Sequence, residues 1–99
     1  MDNKAKLTPC ACFSHDESGS RLRIDIEMPG VDKKNIKLEM RKNSFCLSAP
    51  KSENSEYASC CNLHHEIEPE KTEAKYENGL LRIFSPIKDW EKKVDVTIH

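Results

Sequence analysis

Residues 21–28 read RLRIDIEM: Leu22, Ile24, Ile26 and Met28 occupy every second position, with Arg21, Arg23, Asp25 and Glu27 between them. A helix turns about 100° per residue and would scatter these eight side chains around its circumference. An extended strand gathers the four apolar ones on one face and the four charged ones on the other. A strand with one apolar face needs a second layer to cover it.

The rest of the chain repeats the pattern. PCACFS sets Cys10 and Cys12 on one face and Ala11 and Phe13 on the other, and the polar HDESGS that follows reads as a loop. Pro29-Gly30 ends the Arg21–Met28 strand, and VDKKN is a short connection. In IKLEMR, Ile36, Leu38 and Met40 alternate with Lys37, Glu39 and Arg41. SFCLSA places Phe45 and Leu47 opposite Cys46 and Ser48, and Pro50 is expected to stop it before a six-residue polar loop, KSENSE. YASCCNL follows, with Tyr57, Ser59, Cys61 and Leu63 facing one way, and then a loop, HHEIEPEK, in which Pro69 pre-sets a turn.

EPEKTEAKYENGLL admits two readings, since its charged first half could form a helix. Asn-Gly accepts the positive φ angles of a two-residue hairpin turn, Thr72 is β-branched and the segment is short. TEAKY and LLRIF are therefore expected to be strands joined at Asn78-Gly79. After a charged connection, KDWEKK, the chain ends in VDVTIH, where Val94, Val96 and Ile98 alternate. Seven or eight short strands with turns every eight to twelve residues predict an all-β fold, an antiparallel β-sandwich.

Composition fits one thin-cored domain. The chain has 99 residues, 36% hydrophobic and 33% charged, with a mean hydropathy of −0.75. The net charge of −1 comes from well-mixed signs, unlike the clustered basic face of a nucleic-acid binder. No apolar run approaches the roughly 20 residues of a membrane span. The start, MDNKAKLTPCACF, has no apolar signal region, so a cytoplasmic protein is expected, with neither nucleic acid nor membrane as partner. Five cysteines, an odd number in such a setting, are expected to be reduced thiols acting as small hydrophobes rather than a disulfide framework.

IEMPGVDKKNIKLEM and AKYENGLL, in this order and spacing, resemble the small heat-shock protein family. In the first, a strand ends in a hydrophobic residue, Pro29 and Gly30, and an acidic loop leads into a second alternating strand. The second matches the family's A-x-x-x-N-G-x-L signature at Ala74, Asn78, Gly79 and Leu81. The resemblance spans roughly residues 9–88 and implies an α-crystallin domain, an immunoglobulin-like sandwich, in a minimal short-loop form. It divides the chain into a tail over 1–8, the sandwich over 9–88 and a C-terminal extension over 89–99. Ala74 would face a tightly packed layer and Leu81 would fill the core. Long-armed family members carry an apolar N-terminal arm, whereas about eight polar residues precede the first strand here. PKSENSE is too short for the extra strand that swaps between partners in many members, and Ser59 stands where animal members often have Arg.

The chemistry-bearing side chains form no enzyme constellation. Nothing resembles a nucleophile turn, and three glycines, Gly19, Gly30 and Gly79, cannot make a phosphate-cradling loop. No cofactor is expected. Cys10, Cys12, Cys60, Cys61, His64 and His65 are soft ligands of the type Zn²⁺ or Cu⁺ prefers, but C-x-C and C-C are not common zinc spacings. They are candidates for a structural metal or a redox sensor, against the plainer reading of edge thiols and solvated histidines. Trp90 is expected to pack over the sandwich edge or to anchor an interface. The tail at Val94, Val96 and Ile98 resembles the family's I-x-I motif; it could dock on a neighbour's groove or be a last strand of its own sheet.

The resemblance implies an ATP-independent holdase of the stress response, binding partly unfolded clients, with self-association or co-assembly with longer relatives. The groove would lie near Leu38, Met40, Ala74 and Tyr76. The alternative is a protein-interaction module like the CS-domain co-chaperones, which share the sandwich, lack the swapped-strand loop and dock on a specific partner.

Overall fold

The computed structural model describes residues 5–88 and 96–99. Among these residues eight strands form two four-stranded sheets: β1 (Ala5–Leu7), β6 (Ser55–Asn62), β5 (Ser44–Ser52) and β4 (Lys37–Met40) in that order, and β2 (Cys10–His15), β3 (Arg21–Glu27), β8 (Leu80–Pro86) and β7 (Glu73–Glu77). All pairings are antiparallel except β1 with β6. The expected β-sandwich is present, with two single-turn 3₁₀ helices, Lys33–Asn35 and Pro69–Lys71, in its connections.

The core is the inner face of each alternating strand. Leu22, Ile24, Ile26 and Met28 of β3 and its continuation meet Phe45, Leu47 and Ala49 of β5, Tyr57 of β6, and Leu81 and Ile83 of β8. Ile24, Ile26 and Ile83 are fully buried, each contributing about 1.5–3 kcal/mol. Ser85 is a buried polar residue, and its hydroxyl is satisfied at 2.6 Å by that of Thr72.

Four expectations are corrected. Residues 1–8 were expected as a tail, yet Ala5–Leu7 pair in parallel with Ser55–Tyr57, and Ala5 N donates to Asn54 O at 2.7 Å. Three residues are too few to show a period, so the sheet edge decides their conformation. Pro50 does not stop β5. The strand continues to Ser52, with a register shift between Pro50 and Ser52; parity turns the N–H that Pro50 lacks away from β6 and past the start of β4, so no ladder bond is lost. The expected six-residue loop thereby shrinks to a tight connection, in which Asn54 N donates to Ser52 Oγ. HHEIEPEK is not wholly a surface loop: Ile67 is buried and bridges Ile87. Its single apolar side chain, flanked by Glu66 and Glu68, gave no periodic signal.

The fourth correction concerns the cysteines. Cys46 and Cys60 sit directly opposite each other on β5 and β6 and form a disulfide. Leu63 N donates to Asn43 O, which makes that pair hydrogen-bonded and, two residues at a time, leaves Cys46 and Cys60 in the closer, non-hydrogen-bonded type of pair. Cys10, Cys12 and Cys61 are free thiols.

The hairpin at Asn78-Gly79 is as expected, with φ of 51° and 80°. A Cβ on Gly79 would lie 3.2 Å from Pro29 Cα, a backbone atom that cannot swing away. Gly79→Ala should therefore destabilise the protein by more than about 1 kcal/mol, from strain at positive φ plus the contact; denaturant titration checks this.

The β2–β3 turn is held by Asp16, which accepts from Arg21 Nε at 2.7 Å and from Ser18 Oγ at 2.8 Å. The hydrogen bond from the Arg21 guanidinium, helped by that from Ser18, lowers the Asp16 carboxyl from 3.8 to about 2. A depressed folded-state value means that this contribution is complete above the unfolded pKa and is lost as pH falls from about 4 towards 2. Asp16→Asn should flatten the melting temperature against pH across that window and leave its slope near neutrality unchanged.

Candidate functional site

The two sequence signatures meet in space. Met28 N donates to Gly79 O at 2.8 Å, so the Met28-Pro29-Gly30 corner lies against the hairpin. Tyr76 Oη donates to Met28 O at 2.7 Å, from the hairpin's own sheet. Tyr57 Oη donates to Pro29 O at 3.3 Å, from the opposite sheet. Pro29, Gly30, Asn78, Gly79 and Leu81 thus build a joint between the two layers, with Leu81 in the core. Ala74 departs from expectation: it is exposed on β7 rather than pressed against a packed layer, because β7 is an edge strand.

The sandwich has two flanks, each with edge strands that no described residue pairs further. On one, Phe13 of β2 has its ring 6.4 Å from that of Phe45. There Phe13, His15, Leu22, Leu63, His64 and His65 line a cavity of about 270 Å³. β2 therefore faces the β6 side, which leaves β4 and β7 as the edges of the opposite flank.

Hydrogen-bond parity tells which residues of β4 and β7 face outwards. Arg41 N donates to Ser44 O, in register with Glu39↔Cys46 and Lys37↔Ser48. These pairs take the bonds between β4 and β5, so Leu38 and Met40 turn their N–H and C=O to the free edge. Met28 N→Gly79 O sets the odd residues of β8 towards β3, so Leu80, Arg82 and Phe84 bond Glu77, Lys75 and Glu73 of β7. Ala74 and Tyr76 then direct their main-chain groups outwards. The side chains of Leu38, Met40 and Tyr76 are half-buried against the core. Between them stand charges, Lys37 and Glu39 on β4 and Glu73, Lys75 and Glu77 on β7, which discourage indiscriminate edge pairing.

The six candidate metal ligands do not gather. Cys60 is bound to Cys46. Cys10 and Cys12 are exposed on β2, opposite Glu27 and Asp25. Cys61 turns inwards, its sulfur 3.6 Å from Ser59 Oγ. His65 stacks edge-on to His15, ring centroids 5.5 Å apart, and His64 lines the same cavity. Among the described residues no group of three or more histidine, cysteine or acidic side chains could hold a metal ion.

Val96 and Ile98 are exposed, 79% and 92%, and belong to no strand. Val94 and Trp90 lie outside the described residues. Sequence reasoning missed Phe13, which is 49% exposed on a folded strand. The readable signal was CACFSH itself, a strand without Asp, Glu, Lys or Arg. Among the described residues no helix is long and apolar enough to cross a membrane.

Comparisons with known proteins bear on this geometry. Among solved structures, heat shock protein 16.0 from Schizosaccharomyces pombe superposes with a TM-score of 0.73 at 16% identity, over 93% of this chain and 77% of that one. HSP18.5 from E. histolytica gives 0.75 at 18% identity, over 93% and 99%. The hspA protein from Xanthomonas axonopodis gives 0.73 at 18% identity, over 85% and 97%. At such identities the likeness is one of fold, the α-crystallin type of sandwich. A search of curated proteins finds no significant match. The family model for the CS domain matches residues 12–99. With that match over most of its length, and a sandwich of the kind that small heat-shock proteins also adopt, the chain belongs to the CS domain family.

Proposed function

We propose that the protein is an ATP-independent chaperone of the small heat-shock type, a cytoplasmic binding protein rather than an enzyme, that holds partly unfolded polypeptides. The observation that carries this reading is the flank between β4 and β7. There the outward-turned main chains of Leu38, Met40, Ala74 and Tyr76 stand beside half-buried apolar side chains. An unfolded chain exposes unpaired N–H and C=O groups and alternating apolar side chains. An edge of this kind accepts both: backbone hydrogen bonds and the apolar positions supply affinity, while the charges of both signs between them restrict which segments pair. Such binding needs no nucleotide.

A second reading is favoured by two particulars, the CS domain match and the tight Ser52–Ser55 connection between β5 and β6. It is a module that docks on one folded partner. The exposed Val96 and Ile98 fit the first reading, as a plug for a neighbour's groove in a self-assembly or in a mixed assembly with longer relatives.

Light scattering of a heat-labile client separates the two. The holdase reading predicts suppression at near-stoichiometric ratios, and loss of most of it in Leu38→Gln/Met40→Gln protein that keeps its native circular dichroism. Absence of suppression by folded wild-type protein would favour the partner-specific module.

A further inference from the structure

The flank that carries β2 differs from the one just described. Of the four edge strands, β1 carries Lys6, β4 Lys37 and Glu39, and β7 Glu73, Lys75 and Glu77; β2, CACFSH, carries no Asp, Glu, Lys or Arg. Charged side chains on an edge are the usual protection against pairing with another chain. β2 lacks it and also shows Phe13 half-exposed.

The parity of β2 can be read in the same way. Asp16 N donates to Arg21 O at 3.0 Å, in register with Ser14↔Arg23, Cys12↔Asp25 and Cys10↔Glu27. Cys10, Cys12 and Ser14 therefore exchange bonds with β3. Ala11, Phe13 and His15 turn their N–H and C=O to the free edge, where no described residue pairs with them.

We infer that β2 is a self-association edge, and that its occupant is the β2 of a second copy of this chain, running antiparallel about a two-fold axis through Cys12. A strand is complementary to itself in that arrangement, as a two-fold interface requires. With the axis at Cys12, Phe13 of each copy meets Ala11 of the other as a hydrogen-bonded pair, large side chain beside small. Cys10 meets Ser14, and no like charges oppose one another. The two sheets become one continuous eight-stranded sheet.

The same axis sets Cys12 opposite the second copy's Cys12 in the closer, non-hydrogen-bonded type of pair. That is the pair type in which Cys46 and Cys60 are already joined within the chain. Cys12 is a free, exposed thiol. A small-molecule disulfide can lock the dimer in two exchange steps. In the first, one Cys12 thiolate attacks the small disulfide, forming a mixed disulfide and expelling one small thiol. In the second, the other Cys12 thiolate attacks the Cys12 sulfur of that mixed disulfide and expels the second small thiol. The two cysteines lose two electrons and two protons, and the two small thiols gain them.

This inference stands apart from the holdase reading, and its test involves no client. The reduced 99-residue chain is weighed by sedimentation equilibrium, as wild type and as Ala11→Pro. The substitution deletes an edge N–H and leaves the β2–β3 bonds in place, and a wild-type circular dichroism spectrum confirms the fold. The wild type is expected to reach twice the 11.4 kDa chain mass. Ala11→Pro is expected to associate roughly thirtyfold more weakly, since one main-chain hydrogen bond is lost in each copy. Oxidised glutathione is expected to trap a dimer whose linked peptide joins Cys12 to Cys12, absent in Cys12→Ser. A monomeric wild type, a dimer indifferent to Ala11→Pro, or a crosslink that avoids Cys12 would overturn the inference.

Discussion

The close contact of Gly79 with Pro29 is the constraint on which the layout rests. Met28 N bonds the hairpin carbonyl at Gly79, and the two tyrosines, Tyr76 from one sheet and Tyr57 from the other, donate to the next carbonyls along, Met28 and Pro29. One corner of the β3–β4 connection is thereby fixed to both layers. β4 starts a few residues beyond that corner, and β7 ends at the hairpin. The joint therefore lies where β7 ends and where the connection to β4 begins, at one end of the proposed binding flank.

Much of this was legible in the residues. Period-two alternation located β3, β4, β5 and β6 and named most of the core, because burial on one face of a strand leaves that trace. Asn78-Gly79 resolved a segment whose charge suggested a helix, because a backbone at positive φ outweighs weak helical propensity. The rest was decided by tertiary context. Three residues at Ala5–Leu7 become a strand because β6 offers a ladder. Pro50 is tolerated within β5 because the N–H it lacks would face away from β6. Cys46 and Cys60 could not be paired from an odd count of cysteines; their meeting depends on the register of β5 against β6, which in turn depends on how short the connection at Ser52–Ser55 is.

The site was legible in part. Leu38, Met40, Ala74 and Tyr76 could be named for a groove from their strand positions, but their main-chain direction, a property of ladder parity, was not readable. The packing expected of Ala74 failed for the same reason: a signature alanine on an edge strand need not be covered. The metal candidates illustrate the limit of composition. Six soft ligands in a short chain invite a site, and the topology spreads them over a disulfide, an outer sheet face, an inner face and a cavity rim.

Amide hydrogen exchange by NMR, with and without an unfolded client, tests the central claim directly. If polypeptides are held by strand addition at the β4–β7 flank, the amides of Leu38, Met40, Ala74 and Tyr76 exchange fast in the free protein and slow when client is added. Those of Lys37, Glu39, Lys75 and Glu77, already bonded within the sheets, change little. Protection that leaves these four amides untouched while client is bound would contradict the account.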